Sequence, residues 1–191
     1  GRTGGRVLTQ LLERGVHVRA LVRSAQRLPA GVVGRPGLVV VEGDLLSLGD
    51  EALLEQVRGC DTVISCLGHV LSLKGVFGPP RDLVARATVR LCRAIEASRP
   101  DAPVRLILMS SVSVNHPGAR ETRRTAFERM VLSLIRGLVP PAGDNQRAAD
   151  FLHDEVGTGN PFVRWVLVRP DTLLDGDVTR YALHETIVNG L

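Results

Sequence analysis

Four short apolar runs constrain this chain more than any other feature. They read GLVVVEGD (37–44), DTVISCLG (61–68), VRLILMSS (104–111) and PFVRWVLVRP (161–170). A run that is apolar at nearly every position, bounded by turn residues, suits a strand buried on both faces of a parallel sheet. Helical periods lie between the runs, in DEALLEQVRGC (50–60) and in RDLVARATVRLCRAIEASRP (81–100), the second ended by Pro100. Nearer the start, Val7, Leu8, Leu11 and Leu12 share one helical face, and Gly15 stops that helix as a left-handed cap. VHVRALV then alternates as a strand ending near Val22. Helices and strands alternate with short connections, which predicts an α/β domain built on a doubly wound parallel sheet.

Composition narrows the partners. With 191 residues, 44% of them hydrophobic, the chain predicts one well-buried core and a single domain over residues 1–191. The net charge is +4, but Lys74 is the only lysine and the arginines are dispersed. Without a basic block, and with aromatics at 3%, nucleic-acid binding is not expected. Cys60, Cys66 and Cys92 make an odd count without ligand spacing, which predicts reduced thiols, a cytoplasmic protein and no metal site. No apolar run approaches a membrane span.

The region RETRRTAFERMVLSLIRGLVPPAGDNQRAADFLHDEVG reads as two helices after one strand. In the first, over 120–138, Phe127, Met130, Val131, Leu134, Ile135 and Leu138 form an apolar stripe opposite several arginines. Two readings stand: a helix packed on the domain, or a lid or surface for a protein partner. Asp144 is placed as N-cap of the second helix.

The opening GRTGGRVLTQ is a glycine-rich turn leading into a helix, the arrangement in which backbone amides approach a diphosphate. Two registers fit a G-x-x-G-x-x-G loop. If Gly1 is the first glycine, Val7 occupies the third position and crowds the contact between helix and strand. If Gly1 is the second and Gly4 the third, the first glycine and its strand lie before residue 1. The second register is better, and it makes residues 1–191 an expected piece of a longer protein at both ends. After VHVRALV come Arg23, Ser24 and Arg27, where an acidic residue would bind the ribose of NAD and arginine suits the 2′-phosphate of NADP. NADP(H) is therefore the expected cofactor.

At these residues the chain resembles the atypical short-chain dehydrogenase/reductases, in particular the NAD(P)H-binding group of biliverdin/flavin reductases and NmrA-like proteins. Gly1, Arg2, Thr3 and Gly4 match the last four positions of that group's glycine loop, and EGDLL, CLG, MSSVSV and VRPDTL follow in order. The resemblance implies a Rossmann-like fold whose first strand is missing from this chain. It also implies that Asp44 and Leu45 border the adenine, that Leu67, Gly68 and His69 run beneath ribose and pyrophosphate, and that Ser110 and Ser111 stand near the nicotinamide. Arg169 and Pro170 would begin the loop over the nicotinamide end.

Typical short-chain dehydrogenases move a proton through a Tyr-x-x-x-Lys pair. Here the only tyrosine is Tyr181, the only lysine is Lys74, and the helix expected to hold the pair reads DNQRAADFLHDEVG. The expected activity is NADPH-dependent reduction of a small conjugated acceptor such as a flavin or quinone, with Ser111 positioning the acceptor and His116 as a proton donor. The alternative is a non-catalytic NADPH-binding regulator or assembly factor.

Overall fold

The structure is a computed structural model that describes residues 1–69, 78–112, 114, 140–170, 173, 176 and 180–184. The expected helix over 120–138 and His116 lie outside these residues. Helix α1 spans Arg2–Glu13 and β1 Val18–Val22; a 3-10 turn, Ala25–Arg27, precedes β2, Leu38–Glu42. Then come α2 (Asp50–Val57), β3 (Thr62–Ser65), α3 (Leu83–Ser98), β4 (Val104–Met109), α4 (Pro140–Phe151) and β5 (Val163–Val168).

Every strand pairing is parallel. β1 lies on β2 from Val18 opposite Leu38 to Val22 opposite Glu42. β4 is the middle strand of a second sheet, with β3 on one edge and β5 on the other. Among the described residues no strand pairs with the remaining edge of β1 or of β3. The two sheets are linked through helices instead. Arg19 of β1 donates to the carbonyls of Glu55 and Gln56 at the end of α2, both at 2.7 Å, and α2 packs on α3.

Strand parity decides what is buried. Val104, Leu106 and Leu108 of β4 and Val163 of β5 face α3 and α4, where they join Val84, Leu91, Ile95, Ala148 and Leu152 in the core. The opposite face carries Ile64, Ile107 and Val166 in one register row, and there Ile64 is 37% and Val166 46% exposed. The sequence predicts burial on both faces; among the described residues only the helix-facing side is fully covered.

Helix ends follow local chemistry. Gly15 has φ +72° and closes α1 as expected. α3 stops before Pro100, but the left-handed residue at its end is Arg99, with φ 44°. α4 begins earlier than expected. Pro140 and Pro141 sit in its first turn, where a missing N–H costs nothing, so Asp144 lies inside the helix and is not its N-cap.

A left-handed backbone is unfavourable for a side chain with a Cβ. Arg99→Gly is expected to stabilise the protein by about 0.5–1 kcal/mol, read as a higher midpoint of thermal unfolding. A lowered midpoint would mean that the Arg99 side chain contributes more than its backbone costs.

Candidate dinucleotide site

Parallel strands deliver their following loops to one rim of the sheet, the place where open α/β folds bind ligands. α1 starts at that rim. It begins at Arg2 with Gly1 as N-cap, and the first intrahelical bond runs from the Gly5 amide to the Gly1 carbonyl at 2.9 Å. Arg2, Thr3 and Gly4 therefore form the first helical turn rather than a loop ahead of the helix. The Gly1 N-cap makes no side-chain bond to the first amides of the helix.

Two glycine contacts show what this turn packs against. A Cβ on Gly4 would lie 3.4 Å from the Cβ of Cys66, the residue after β3. A Cβ on Gly5 would meet Pro29 at 3.1 Å, closer than most side-chain contacts tolerate. The helix start is thus wedged between the end of β3 and the loop that leaves β1. That loop carries the predicted phosphate readers. Arg23 and Arg27 are exposed, and neither guanidinium has a hydrogen-bond or ion-pair partner among the described residues. Ser24 precedes the 3-10 turn. The Ala25 amide donates to the Glu42 carboxylate at the end of β2, which pins the loop.

The other expected residues fall into three groups. Asp44 opens a tight turn after β2, with the Leu46 amide donating to its carboxylate at 2.8 Å, while Leu45 packs partly into the core. Leu67, Gly68 and His69 follow β3. A Cβ on Gly68 would meet nothing within 4 Å, so the backbone there borders open space, as a cofactor lying over it requires. Ser110, Ser111, Arg169 and Pro170 are brought together beyond β4 and β5. The Ser110 amide donates to the Val168 carbonyl at 2.8 Å, the Val112 amide to the Pro170 carbonyl at 3.1 Å, and Arg169 Nη1 to the Val114 carbonyl at 3.0 Å. Ser110 shares parity with Leu106 and Leu108, and its hydroxyl, like that of Ser65, is buried with no partner among the described residues. Ser111, one residue on, has the opposite parity.

His69 turns inward. Its side chain is 5% exposed, and Nε2 lies 2.9 Å from a carboxylate oxygen of Asp144, which is fully buried. The same carboxylate accepts the amides of Val84 and Ala85 at 2.7 and 3.1 Å. Asp144 therefore caps α3, a helix other than its own, and ties the segment after β3 to α4. This occupies the N-terminus of α3 with an internal carboxylate. Burial pushes the Cys66 thiol up, and it pushes Cys92 up to about 12 with help from Glu96.

Sequence reasoning missed Gly5, Glu42, Arg90 and the true partner of Asp144. Gly5 had a visible signal, as a second glycine at the helix start, and Asp144 had one in the two prolines that begin α4. A concavity of about 350 Å³ lined by Leu12, Gly15, His17, Arg35, Pro36 and Gly37 lies at the amino ends of β1 and β2, away from the ligand rim. Among the described residues no cluster of His, Cys, Asp or Glu is fit to hold a metal, and no helix is long and apolar enough to cross a membrane.

A family model described as NAD(P)H-binding matches residues 1–188. An uncharacterized chloroplastic protein of Arabidopsis thaliana is 26% identical over 202 residues, covering 100% of this chain and 69% of its own length. Among solved structures, the oxidoreductase ylbE of Lactococcus lactis superposes with TM-score 0.64 at 19% identity, over 94% of this chain and 68% of that one. A putative NADH-flavin reductase of Streptococcus pneumoniae gives 0.60 at 19%, over 94% and 72%. UDP-glucose 4-epimerase of Thermus thermophilus, solved with NAD, gives 0.60 at 18%, over 87% and 50%. These structures establish the Rossmann-like fold.

Removing the Asp144 carboxylate leaves two amides and an imidazole without their buried acceptor. Asp144→Ala is expected to lower stability by about 3 kcal/mol or more in chemical denaturation, with Asp144→Asn recovering part of it. A loss below about 1 kcal/mol would show that water replaces the carboxylate freely.

Proposed function

The chain belongs to the NAD(P)H-binding family, and from that premise we propose that it is an NADPH-dependent reductase acting on a small conjugated acceptor, a flavin or quinone, without a Tyr-x-x-x-Lys pair. The observation that carries this reading is the convergence at the start of α1, where Gly4 meets Cys66 and Gly5 meets the loop bearing Arg23 and Arg27. Diphosphate oxygens would be held by the amides of the first turn. Two exposed guanidiniums on that loop, without a partner among the described residues, favour a 2′-phosphate over a bare ribose hydroxyl, because an arginine fork matches a phosphate dianion. Glu42 is no counter-argument, since its carboxylate is turned to the Ala25 amide. When bound, the reduced nicotinamide supplies a hydride.

The chain's own part at the nicotinamide end is positional. Ser111 is the hydroxyl whose strand parity directs it away from the helix-packed core, and we assign it to the acceptor; His116 remains the proton donor of this proposal. α4, the helix expected to hold a tyrosine and a lysine, carries Asp144, Gln146 and Asp150 instead, of which Gln146 donates to Asp150 at 2.8 Å. Tyr181 is 79% exposed. This favours acceptors that are reduced without a Tyr-x-x-x-Lys pair. The free thiols of Cys60, Cys66 and Cys92 support a reducing compartment, read here as the cytoplasm.

The same occupation of α4 favours a second reading, a regulator or assembly factor that binds NADPH without turnover and meets a protein partner through residues 120–138. Stopped-flow oxidation of NADPH with a panel of flavins and quinones separates the two. The reductase reading expects acceptor-dependent oxidation; tight binding with no oxidation would leave the regulator. For the cofactor itself, Arg23→Ala is expected to cut the preference for NADPH over NADH by about tenfold or more, since a charge-assisted contact contributes about 1.5–3 kcal/mol. An unchanged ratio in direct titration would remove Arg23 from the phosphate site.

A further inference from the structure

We propose that Arg90, on α3 and outside every glycine or strand-end motif, is a positioning residue for the adenosine half of the dinucleotide. The proposal rests on the dinucleotide reading above and adds a residue that does not touch the ligand.

The turn after β2 has its amides directed inward. The Ser47 and Leu48 amides donate to the Asp44 carbonyl at 3.0 and 2.9 Å, and the Leu46 amide donates to the Asp44 carboxylate at 2.8 Å. This geometry turns the carbonyls of Leu45 and Leu48 toward α3. Arg90 meets both: Nη1 donates to the Leu45 carbonyl at 2.6 Å, and Nη2 donates to the Leu48 carbonyl and to Asp50 Oδ1, the last at 2.7 Å. The Arg90 side chain is 20% exposed, whereas Asp50 is 97% exposed. The ion pair is screened by water and contributes little, so the weight lies on the two carbonyls. A planar guanidinium can satisfy both at once; an ammonium on a flexible stem does so less well.

The consequence passes along the backbone. Leu45 and Leu48 pack against the core, and a Cβ on Gly43 would meet Leu21 and Leu48 at 3.5 Å each. Gly43, Asp44 and Leu45 form the strand end expected to border the adenine. Loss of the guanidinium strands two carbonyls at a partly buried position and lets Asp44–Leu48 rearrange, while the turn at Gly1–Gly4 and the Ser110–Pro170 cluster keep their own hydrogen bonds.

The test uses the full chain, with Arg90→Met to keep the apolar stem and Arg90→Lys to keep the charge. Affinities are measured for NADPH and for 2′,5′-ADP, which carries the adenosine half alone. Arg90→Met is expected to weaken both ligands by the same factor, about tenfold, with Arg90→Lys recovering only part. Hydrogen exchange at residues 43–48 should rise in Arg90→Met and stay unchanged at residues 1–5. Equal affinities in wild type and Arg90→Met would overturn the proposal. So would a loss for NADPH well beyond that for 2′,5′-ADP, which places the effect outside the adenosine half. A wild-type chain that binds neither ligand rejects the dinucleotide reading itself, a result distinct from an Arg90 variant that binds like wild type.

Discussion

A single fully buried carboxylate joins the parts on which the rim depends. Asp144 takes the amides of Val84 and Ala85 and the imidazole of His69, so α4, the start of α3 and the segment leaving β3 share one acceptor. Burying an anion is expensive unless it is hydrogen-bonded. Three donors, with Arg147 at 3.5 Å as a weaker fourth contact, provide that compensation. The arrangement also assigns the helix starts their tasks. α3 spends its N-terminal dipole on an internal carboxylate, whereas the proposed function gives that of α1 to a diphosphate.

The same device recurs along the rim in weaker form. The loop after β1 is held by Glu42 through the Ala25 amide, the loop after β2 by Arg90 through two carbonyls, and the segment after β3 by Asp144 through His69. Each tether comes from an element other than the one it restrains. Ligand-facing loops cannot rely on burial for order, because their outer face must stay open. Charged groups reaching in from behind satisfy the backbone on the inner side and leave the outer side free. The order of the site is thus obtained from helix and strand residues that have no place in a binding motif.

That explains what was legible in the sequence. The buried strands were visible because their apolar runs are local, as were the left-handed Gly15 and the helix start at Gly1. Ser110 is a middle case: counting by twos from Leu106 and Leu108 puts its hydroxyl on the helix side, away from Ser111. Asp144 was misread because a carboxylate near the start of a predicted helix suggests an N-cap for that helix, and its real partners lie 59 and 60 residues away. The two prolines that begin α4 were the overlooked signal. Arg90 had none, since an arginine on the outer face of an amphipathic helix is the commonest place for one, and only the fold brings the β2 loop beneath it.

What α4 does hold bears on the chemistry. A tyrosine kept acidic by a lysine is needed when the substrate itself must gain or lose a proton in step with hydride transfer, as an alcohol does. This helix uses Asp144 to hold neighbouring segments and joins Gln146 to Asp150, so no group there is shared between packing and proton transfer. An extended aromatic acceptor asks less of the protein. It stacks and spreads the arriving charge over its own rings, so positioning accounts for much of the rate. A rim built from pinned loops and a strand-end hydroxyl suits that task, and on the proposed function the arginine-bearing loop, fixed from behind by Glu42, would set the end of the cofactor farthest from the reaction.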